Sequence, residues 1–189
     1  LTYPLFGEQG NRQYTSFVLR NAGGDAQFAF MRDRLAADLI EQSGSTVDVQ
    51  AARPIVLYLN GQYWGLYYLR ERFDETYFEE KYRVDPEALA IVEVPLNNAV
   101  NRGRAEASTT DMEEEAEAYN QLLSDVQRCT YCASYSHVNS LADAENLLDY
   151  LLFELFFANI DWPYNNTKAW RYQADIDHPV VVDRRIEQH

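Results

Sequence analysis

An Asn-Gly pair between two apolar runs constrains the fold of this chain more than any other feature. The runs are residues 53–58 and 63–69, which are rich in aliphatic and aromatic side chains, and Asn60-Gly61 lies between them. Both residues tolerate the left-handed backbone of a tight turn, and Asn-Gly between such runs is the strongest short-range hairpin signal. The sequence therefore predicts a β-hairpin over residues 53–69.

The segments around this hairpin alternate between strand-like and helix-like patterns. An apolar run over residues 17–20 ends at turn-forming residues, and apolar positions three and four apart then predict a helix over residues 27–42, with Gly44 as its stop signal. The same rules predict a helix over 73–82, a strand over 89–94, a polar loop over 97–110, an amphipathic helix with an acidic, solvated face over 111–128, a buried central helix over 143–158, and strands over 170–173 and 180–182. We therefore expect an α+β fold, in one domain spanning residues 1–189 or in a large fragment of one.

The balance of charges limits the classes of partner. The chain has 30 acidic and 16 basic residues, which give a net charge of −14. Such a field repels phosphate backbones and anionic membranes and attracts cationic groups, so nucleic acid is not an expected ligand. The most apolar stretch, residues 147–158, contains Asp149 and Glu154 and is shorter than the roughly 20 apolar residues that cross a bilayer. Membrane insertion is therefore not expected either.

The cysteines and histidines give little support for a metal centre. Cys129 and Cys132 form a single C-x-x-C pair, which lacks the second pair of ligands of a structural zinc site, so a local disulfide or two free thiols is favoured. The three histidines show no ligand spacing. Because the chain begins at Leu1 without a signal-peptide pattern, we expect a processed chain or a piece of a longer protein.

A polar loop after the last predicted helix carries the residue types of a catalytic loop. Pro163 ends the helix, and Asp161 and Asn166 stand five positions apart in the loop. In the catalytic loop of protein kinases, an Asp and an Asn at this spacing accept the proton of the substrate hydroxyl and bind magnesium, respectively. The spacing also arises by chance, and the alternative is that these side chains only satisfy the loop backbone.

The order of the predicted elements parallels that of a protein kinase. In a kinase, the strand with the phosphate-pairing Lys precedes a helix, two further strands lead to the hinge, and a buried helix leads to the catalytic loop. In this interpretation Arg20, at the end of the first strand, takes the place of that Lys, and residues 71–73 take the place of the hinge. Asp183, at the end of the last predicted strand, stands where a metal-binding Asp is expected.

Four segments make the resemblance specific. They are FVLRNAGGD at residues 17–25, MRD at 31–33, RPIVLYLNGQYWGLYYLRER at 53–72 and FANIDWPYNN at 157–166. Together they resemble the CotH kinase family of spore-coat and secreted atypical protein kinases. The resemblance implies a divergent protein-kinase-like fold, ATP-dependent phosphorylation of Ser or Thr in a secreted or coat protein, and a location outside the cell or on the cell or spore surface.

The resemblance also implies roles for individual residues, with ATP and Mg²⁺ as cofactors. Asp161 would be catalytic, the metal ligands would be Asn166, Asn165 and Asp183, and the nucleotide-binding residues would be Arg20, Arg32 and Glu71. The alternative for the last three residues is an ordinary solvated ion pair or an exposed hairpin edge. The acidic balance predicts a basic, Ser-rich protein substrate.

Two parts of the kinase pattern are missing from the sequence. No glycine-rich loop precedes Phe17, and the residues after Asp183 do not form the family's closing D-x-D-x-x-x-G motif. We therefore expect the kinase-like fold to be incomplete at one or both ends, and Mg-ATP binding to be too weak for titration calorimetry. Two alternatives stay open: an inactive CotH-like surface or adhesion module, and a secreted hydrolase that pairs Asp161 with Asp177 or Asp183.

Overall fold

Two antiparallel sheets and five α-helices make up the part of the chain that the structure describes. The structure is a computed structural model, and it describes residues 3–7, 10–94, 106–107, 113–128, 135–160, 167–172 and 181–184. The elements are β1 (Phe17–Arg20), a 3₁₀ helix (Gly23–Gln27), α1 (Arg32–Ser43), β2 (Ala52–Leu59), β3 (Gln62–Glu71), α2 (Glu75–Tyr82), a second 3₁₀ helix (Pro86–Ala88), β4 (Leu89–Val94), β5 (Glu106–Ala107), α3 (Glu113–Arg128), α4 (Tyr135–Leu141), α5 (Ala144–Phe156), β6 (Thr167–Tyr172) and β7 (Val181–Arg184). The architecture is α+β, as predicted.

The predicted hairpin is confirmed and forms the centre of the first sheet. β3 lies between β1 and β2 and is antiparallel to both. Asn60 and Gly61 have φ angles of 51° and 79°, the left-handed values that the two central residues of a tight hairpin turn need. The ladder between β2 and β3 extends one residue beyond each end of the predicted hairpin, where Ala52 pairs with Arg70.

The helix that follows β1 begins later than the apolar periodicity predicts. Residues 23–27 form a 3₁₀ helix, and α1 begins only at Arg32. The reason is the carboxylate of Asp25, which accepts hydrogen bonds from the backbone N–H groups of Ala29 and Arg32 at 3.2 and 3.0 Å. These bonds give the backbone an alternative to the helix. The predicted stop is confirmed, because Gly44 ends α1 with a left-handed φ of 76°.

The second sheet has the strand order β5-β4-β6-β7, with neighbouring strands antiparallel. β4 matches the predicted strand, whereas β6 begins earlier than predicted, at Thr167. Thr167 and Lys168 lack an apolar pattern, yet both are buried, and Lys168 Nζ pairs with Glu93 at 2.9 Å. The polar loop predicted over residues 97–110 lies outside the described residues except for β5.

α3 is amphipathic, as predicted, and its apolar side covers the second sheet. Glu113 and Glu114 are exposed, whereas Glu115 is buried and pairs with Arg171 of β6 at 3.0 Å. The buried cluster between helix and sheet contains Val92, Val94, Ala116, Tyr119, Leu122, Ala142 and Ala169.

α5 is half exposed, so the prediction of a buried central helix is wrong. Large apolar side chains occupy its exposed side: Leu148, Leu152, Leu155 and Phe156. The buried side combines apolar packing of Leu147, Tyr150 and Leu151 near α1 with polar partners. Asn146 Nδ2 donates to Thr46 at 3.0 Å, and the hydroxyl groups of Tyr150 and Thr167 lie 3.1 Å apart. Hydropathy alone could not reveal these partners. None of the helices in the described ranges, α5 included, is long and apolar enough to cross a bilayer.

A single buried carboxylate joins the two sheets. Asp48 lies between α1 and β2, and no part of its side chain is exposed. Its Oδ1 accepts hydrogen bonds from Lys81 and from Tyr82, the latter at 2.6 Å, and its Oδ2 accepts one from the indole N–H of Trp170 at 3.1 Å. The ring of Phe78 packs on Trp170 with the centroids 4.8 Å apart. Asp48 therefore connects the first sheet to α2 and to β6.

Replacement of Asp48 by Asn should lower the free energy of unfolding by about 3 kcal/mol, because the buried donors then lose a charged acceptor. Asp38→Asn is the control, since Asp38 forms a partly exposed ion pair with Arg34 along α1, and such pairs contribute less than about 1 kcal/mol. Urea unfolding at neutral pH measures both losses. Equal losses in the two variants would contradict a special role for Asp48.

Candidate functional site

A buried ion pair links the end of β1 to the start of α1. Arg20 is the last residue of β1, and its Nε donates to Asp33 Oδ2 at 2.7 Å. The two side chains are only 16% and 10% exposed. The chain turns sharply after Arg20, because Ala22 and Gly23 both adopt left-handed φ angles. Arg20 Nη2 lies 3.3 Å from the position that a Cβ of Gly23 would occupy, so Arg20 faces this glycine turn as predicted.

Asp33 has a second cationic partner. Arg70 Nη1, on the neighbouring strand β3, lies 3.4 Å from the same Oδ2 atom of Asp33. The other oxygen, Oδ1, is buried and accepts no hydrogen bond. The carboxylate of Asp33 therefore faces two guanidinium groups.

A different carboxylate holds Arg32. Asp25 is 1% exposed at its side chain, and its Oδ1 lies 3.1 Å from Arg32 Nε. Arg32 is half exposed, and its guanidinium lies 5.3 Å from the centre of the Phe28 ring. Arg32 therefore forms the partly solvated ion pair that is the ordinary alternative for such a residue. We name Arg20, Asp25, Arg32, Asp33 and Arg70 the arginine corner.

Glu71 lies on the opposite face of the first sheet from Arg20. Residues directly opposite each other in an antiparallel ladder share a face, and successive side chains on a strand alternate between faces. Arg20 pairs with Tyr68, whereas Phe17 pairs with Glu71. Arg20 and Arg70 therefore share the face that carries α1, and Glu71 points away from it. The structure brings together Arg20 and Arg32 of the three predicted nucleotide-binding residues, but not Glu71.

The carboxylate of Glu71 holds the segment that precedes β1. Its Oε1 accepts the backbone N–H of Asn11 at 2.8 Å, and its Oε2 accepts that of Ala51 at 3.0 Å. Burial raises the pKa of Glu71, and these two N–H donors offset only part of that rise. Glu71 and Lys81 also line a polar cleft of about 270 Å³. Contact between Glu71 and a nucleotide stays a prediction.

The predicted catalytic loop connects α5 to β6 and lies outside the described residues. Asp161, Asn165 and Asn166 all fall in this loop, so their placement relative to the arginine corner stays a prediction. In the ranges that the structure does describe, no group of three or more His, Cys, Asp or Glu side chains could hold a metal ion.

Asp183, the remaining predicted metal ligand, lies in β7. Its backbone stands opposite Lys168 of β6 in the ladder of the second sheet. Asp177, its alternative partner in a hydrolase, lies outside the described residues, as do Cys129 and Cys132. The proposed metal role of Asp183 is therefore untested, while its position in a strand after residue 180 agrees with the prediction.

Sequence reasoning missed Arg70 and Asp25. Arg70 directly follows the apolar run over residues 63–69, but its significance depends on the pairing of β3 with β1. Asp25 follows Gly23-Gly24 just before a helix, where an Asp side chain commonly accepts backbone N–H groups.

A family model covers most of the chain. The model, described as CotH kinase protein, matches residues 2–180. The chain belongs to the CotH kinase family. The resemblance seen in the four sequence segments is therefore confirmed. A comparison with curated proteins gives no significant match.

The CotH match includes the parts of the chain that matter for a candidate site. It contains the whole arginine corner and the predicted loop over residues 161–166, and it ends just before β7 begins at Val181. The CotH family is associated with spore-coat and surface proteins, and its name points to a kinase.

The burial of Glu71 predicts a specific dependence of stability on pH. Its pKa in the folded chain lies above the usual value of 4.5, so the folded state binds the proton more tightly than the unfolded state. Relative to a Glu71→Gln variant, the wild type should lose stability as pH rises above about 4.5, and the loss should level off above the folded pKa. Urea unfolding of both proteins across this pH range measures the difference. If the stability of the wild type relative to Glu71→Gln instead increased with pH, the N–H donors would lower the pKa of Glu71 by more than burial raises it.

Proposed function

We propose that this protein is an atypical protein kinase, which transfers the γ-phosphate of Mg-ATP to a Ser or Thr hydroxyl of a protein substrate. The observation that carries the proposal is the buried pair of Arg20 and Asp33, which joins the end of a strand to the next helix. In protein kinases, a Lys on a strand pairs with a Glu on the following helix, and this ion pair must be in place for activity. Here too a cation on a strand, Arg20, pairs with a carboxylate on the next helix, Asp33, although a kinase uses Lys and Glu at these places.

The path of the chain supports the same assignment. α1 follows β1 directly, the hairpin of β2 and β3 comes next, and the chain then leaves β3 through residues 72–74 to reach α2. A kinase connects its phosphate-pairing strand, its regulatory helix and its hinge in this order. We therefore infer a divergent kinase-like arrangement in which residues 71–73 correspond to the hinge.

The arginine corner has the charge and the donors to bind a phosphate. It contains three arginines and two aspartates in a chain whose net charge is −14. A guanidinium presents its N–H donors in a planar fork that matches two phosphate oxygens. Arg20 is the member best placed for this contact, because it ends an edge strand and faces the glycine turn.

The predicted loop supplies the acceptor side of the reaction. Asp161 would accept the proton of the substrate hydroxyl while that oxygen bonds to the γ-phosphorus and the bond to the departing ADP oxygen breaks. Asn166, Asn165 and Asp183 would hold Mg²⁺, because amide and carboxylate oxygens suit this ion, which neutralises phosphate charge when bound. The family association favours a location outside the cell or on its surface.

Phosphate transfer tests this proposal directly. The full chain is incubated with millimolar Mg-ATP labelled at the γ-position and with Ser-containing peptides, and label on protein and peptide is counted. Asp161→Asn should lower the transfer rate by about 10² or more, since it removes the proton acceptor. Arg20→Met should also lower the rate, whereas Arg53→Met, an exposed position on β2, should not.

The pattern of results separates the kinase from its alternatives. Stabilisation of the wild type by Mg-ATP without label transfer would favour the non-catalytic surface module. Transfer that persists at the wild-type rate in Asp161→Asn would contradict the assigned role of the loop. Because Mg-ATP binding by these 189 residues is expected to be too weak for calorimetry, the result that would overturn the kinase proposal is the absence of label transfer at millimolar Mg-ATP.

The acidic charge of the chain predicts the substrate class. Peptides with Lys or Arg around the Ser should be phosphorylated faster than peptides with Asp or Glu, because the field of the protein concentrates cationic segments. The preference should shrink as salt is added, since screening shortens the reach of surface charge. Equal turnover of both peptide sets at low salt would exclude electrostatic selection.

A further inference from the structure

We infer that Asp25 is a positioning residue, whose buried carboxylate keeps residues 28–31 out of α1 and so holds Asp33 where it meets Arg20. This role rests on the proposed function, because it matters for catalysis only if the pair of Arg20 and Asp33 serves phosphate transfer. Asp25 acts through the path of the backbone and not through contact with nucleotide or substrate.

Residues 28–31 have a helical sequence but not a helical backbone. Their apolar positions continue the spacing of α1, which is why the sequence predicts a helix from residue 27, and residues 26–31 contain no Gly or Pro. In the structure, however, Phe30 has a left-handed φ of 64°, and α1 begins only at Arg32. A left-handed φ is unfavourable for a bulky side chain, so another interaction must compensate for it.

The carboxylate of Asp25 supplies that interaction. Its two oxygens accept the backbone N–H groups of Ala29 and Arg32 at 3.2 and 3.0 Å, and its side chain is only 1% exposed. In a continuous α-helix the N–H of Arg32 would instead bond to the carbonyl of Phe28, four residues earlier. One N–H cannot make both bonds well, so Asp25 competes directly with an extension of α1.

Two further contacts hold the same segment in place. The backbone carbonyl of Asp25 accepts the N–H groups of Phe28 and Phe30 at 2.9 and 3.0 Å. The ring of Phe30 stacks on that of Tyr68 with the centroids 5.5 Å apart, and Tyr68 stands opposite Arg20 in the ladder between β1 and β3. The segment is therefore attached both to Asp25 and to the sheet face that carries Arg20.

The course of this segment decides where Asp33 lies. Asp33 is the second residue of α1, and the backbone angles of residues 28–31 set the direction in which α1 leaves the glycine turn. Arg20 Nε and Asp33 Oδ2 are 2.7 Å apart, and their hydrogen bond is lost beyond about 3.5 Å. A continuous helix through residues 28–31 would change that direction, and a displacement of Asp33 by about 1 Å already breaks the contact.

Backbone chemical shifts test the first half of the inference without nucleotide. Asp25→Asn keeps the shape of the side chain but removes its charge and one acceptor oxygen. In this variant the Cα shifts of residues 28–31 should move to helical values. In Asp38→Asn, which removes a partly exposed carboxylate of α1, they should stay as in the wild type. Non-helical shifts in both variants would overturn the inference.

Hydrogen exchange of the wild type is a second measurement, which does not depend on the folding of a variant. The first N–H groups of an α-helix have no intrahelical partner, and N–H groups without a buried partner exchange readily. The amides of Ala29 and Arg32 should nevertheless exchange at least about tenfold more slowly than in an unfolded peptide of the same sequence. Exchange at the rate of the unfolded peptide would overturn the inference.

Label transfer from millimolar Mg-ATP tests the second half. Asp25→Asn should lower the rate by about tenfold or more, because Asp33 no longer meets Arg20, whereas Asp38→Asn should leave the rate unchanged. Ala29→Gly, added to Asp25→Asn, should restore part of the rate and remove the helical shifts. Gly disfavours a helix, and residue 29 is exposed and keeps its N–H donor. A general loss of stability would not give this rescue.

The outcomes separate this inference from the proposed function. Helical shifts in Asp25→Asn with an unchanged transfer rate would overturn the positioning role and leave the kinase proposal standing. A lower rate without rescue by Ala29→Gly would also overturn the positioning role, because the extended helix would not be the cause. No transfer by the wild type would overturn the proposed function, and the positioning role with it.

Discussion

The buried carboxylate of Asp48 is the interaction on which the arrangement of the two sheets depends. It lies in the connection between α1 and β2, and it accepts hydrogen bonds from α2 and from β6. β6 directly follows the predicted catalytic loop in the sequence. The connection that carries Asp48 directly follows α1, the helix that contains Asp33. Asp48 therefore links the connection that follows α1 to α2 and to β6.

Carboxylates organise the interior of this acidic protein as well as its surface. Asp25, Asp33, Asp48 and Glu71 are all buried around the first sheet, and each binds a different neighbour. Burial of an ionised carboxylate is unfavourable unless it is paired and hydrogen-bonded. Asp25, Asp48 and Glu71 use both oxygens for this purpose, whereas Asp33 keeps one oxygen without a partner. Among these four carboxylates only that of Asp33 in the candidate site is incompletely paired, a feature that it shares with Glu154 Oε1 of α5.

Local signals predicted more of this protein than long-range ones. The structure confirms three predictions that depend only on neighbouring residues. They are the hairpin at Asn60-Gly61, the end of α1 at Gly44 and the position of Arg20 before a glycine turn. The exposure of α5 could not be predicted, because its buried side is set by partners such as Thr46, about a hundred residues away. Arg70 escaped prediction for the same reason, since only the pairing of β1 with β3 brings it to Asp33.

The position of Trp170 gives the protein an intrinsic optical reporter. Its indole is 7% exposed, donates to Asp48 and touches the rings of Phe78 and Tyr82, whereas Trp64 in the hairpin is 58% exposed. Emission from a buried indole shifts to longer wavelength when water reaches it, so in a variant without Trp162 the blue part of the tryptophan spectrum reports on the junction between the sheets. Coincidence of that signal with the loss of helical circular dichroism would show that both sheets unfold as one cooperative unit.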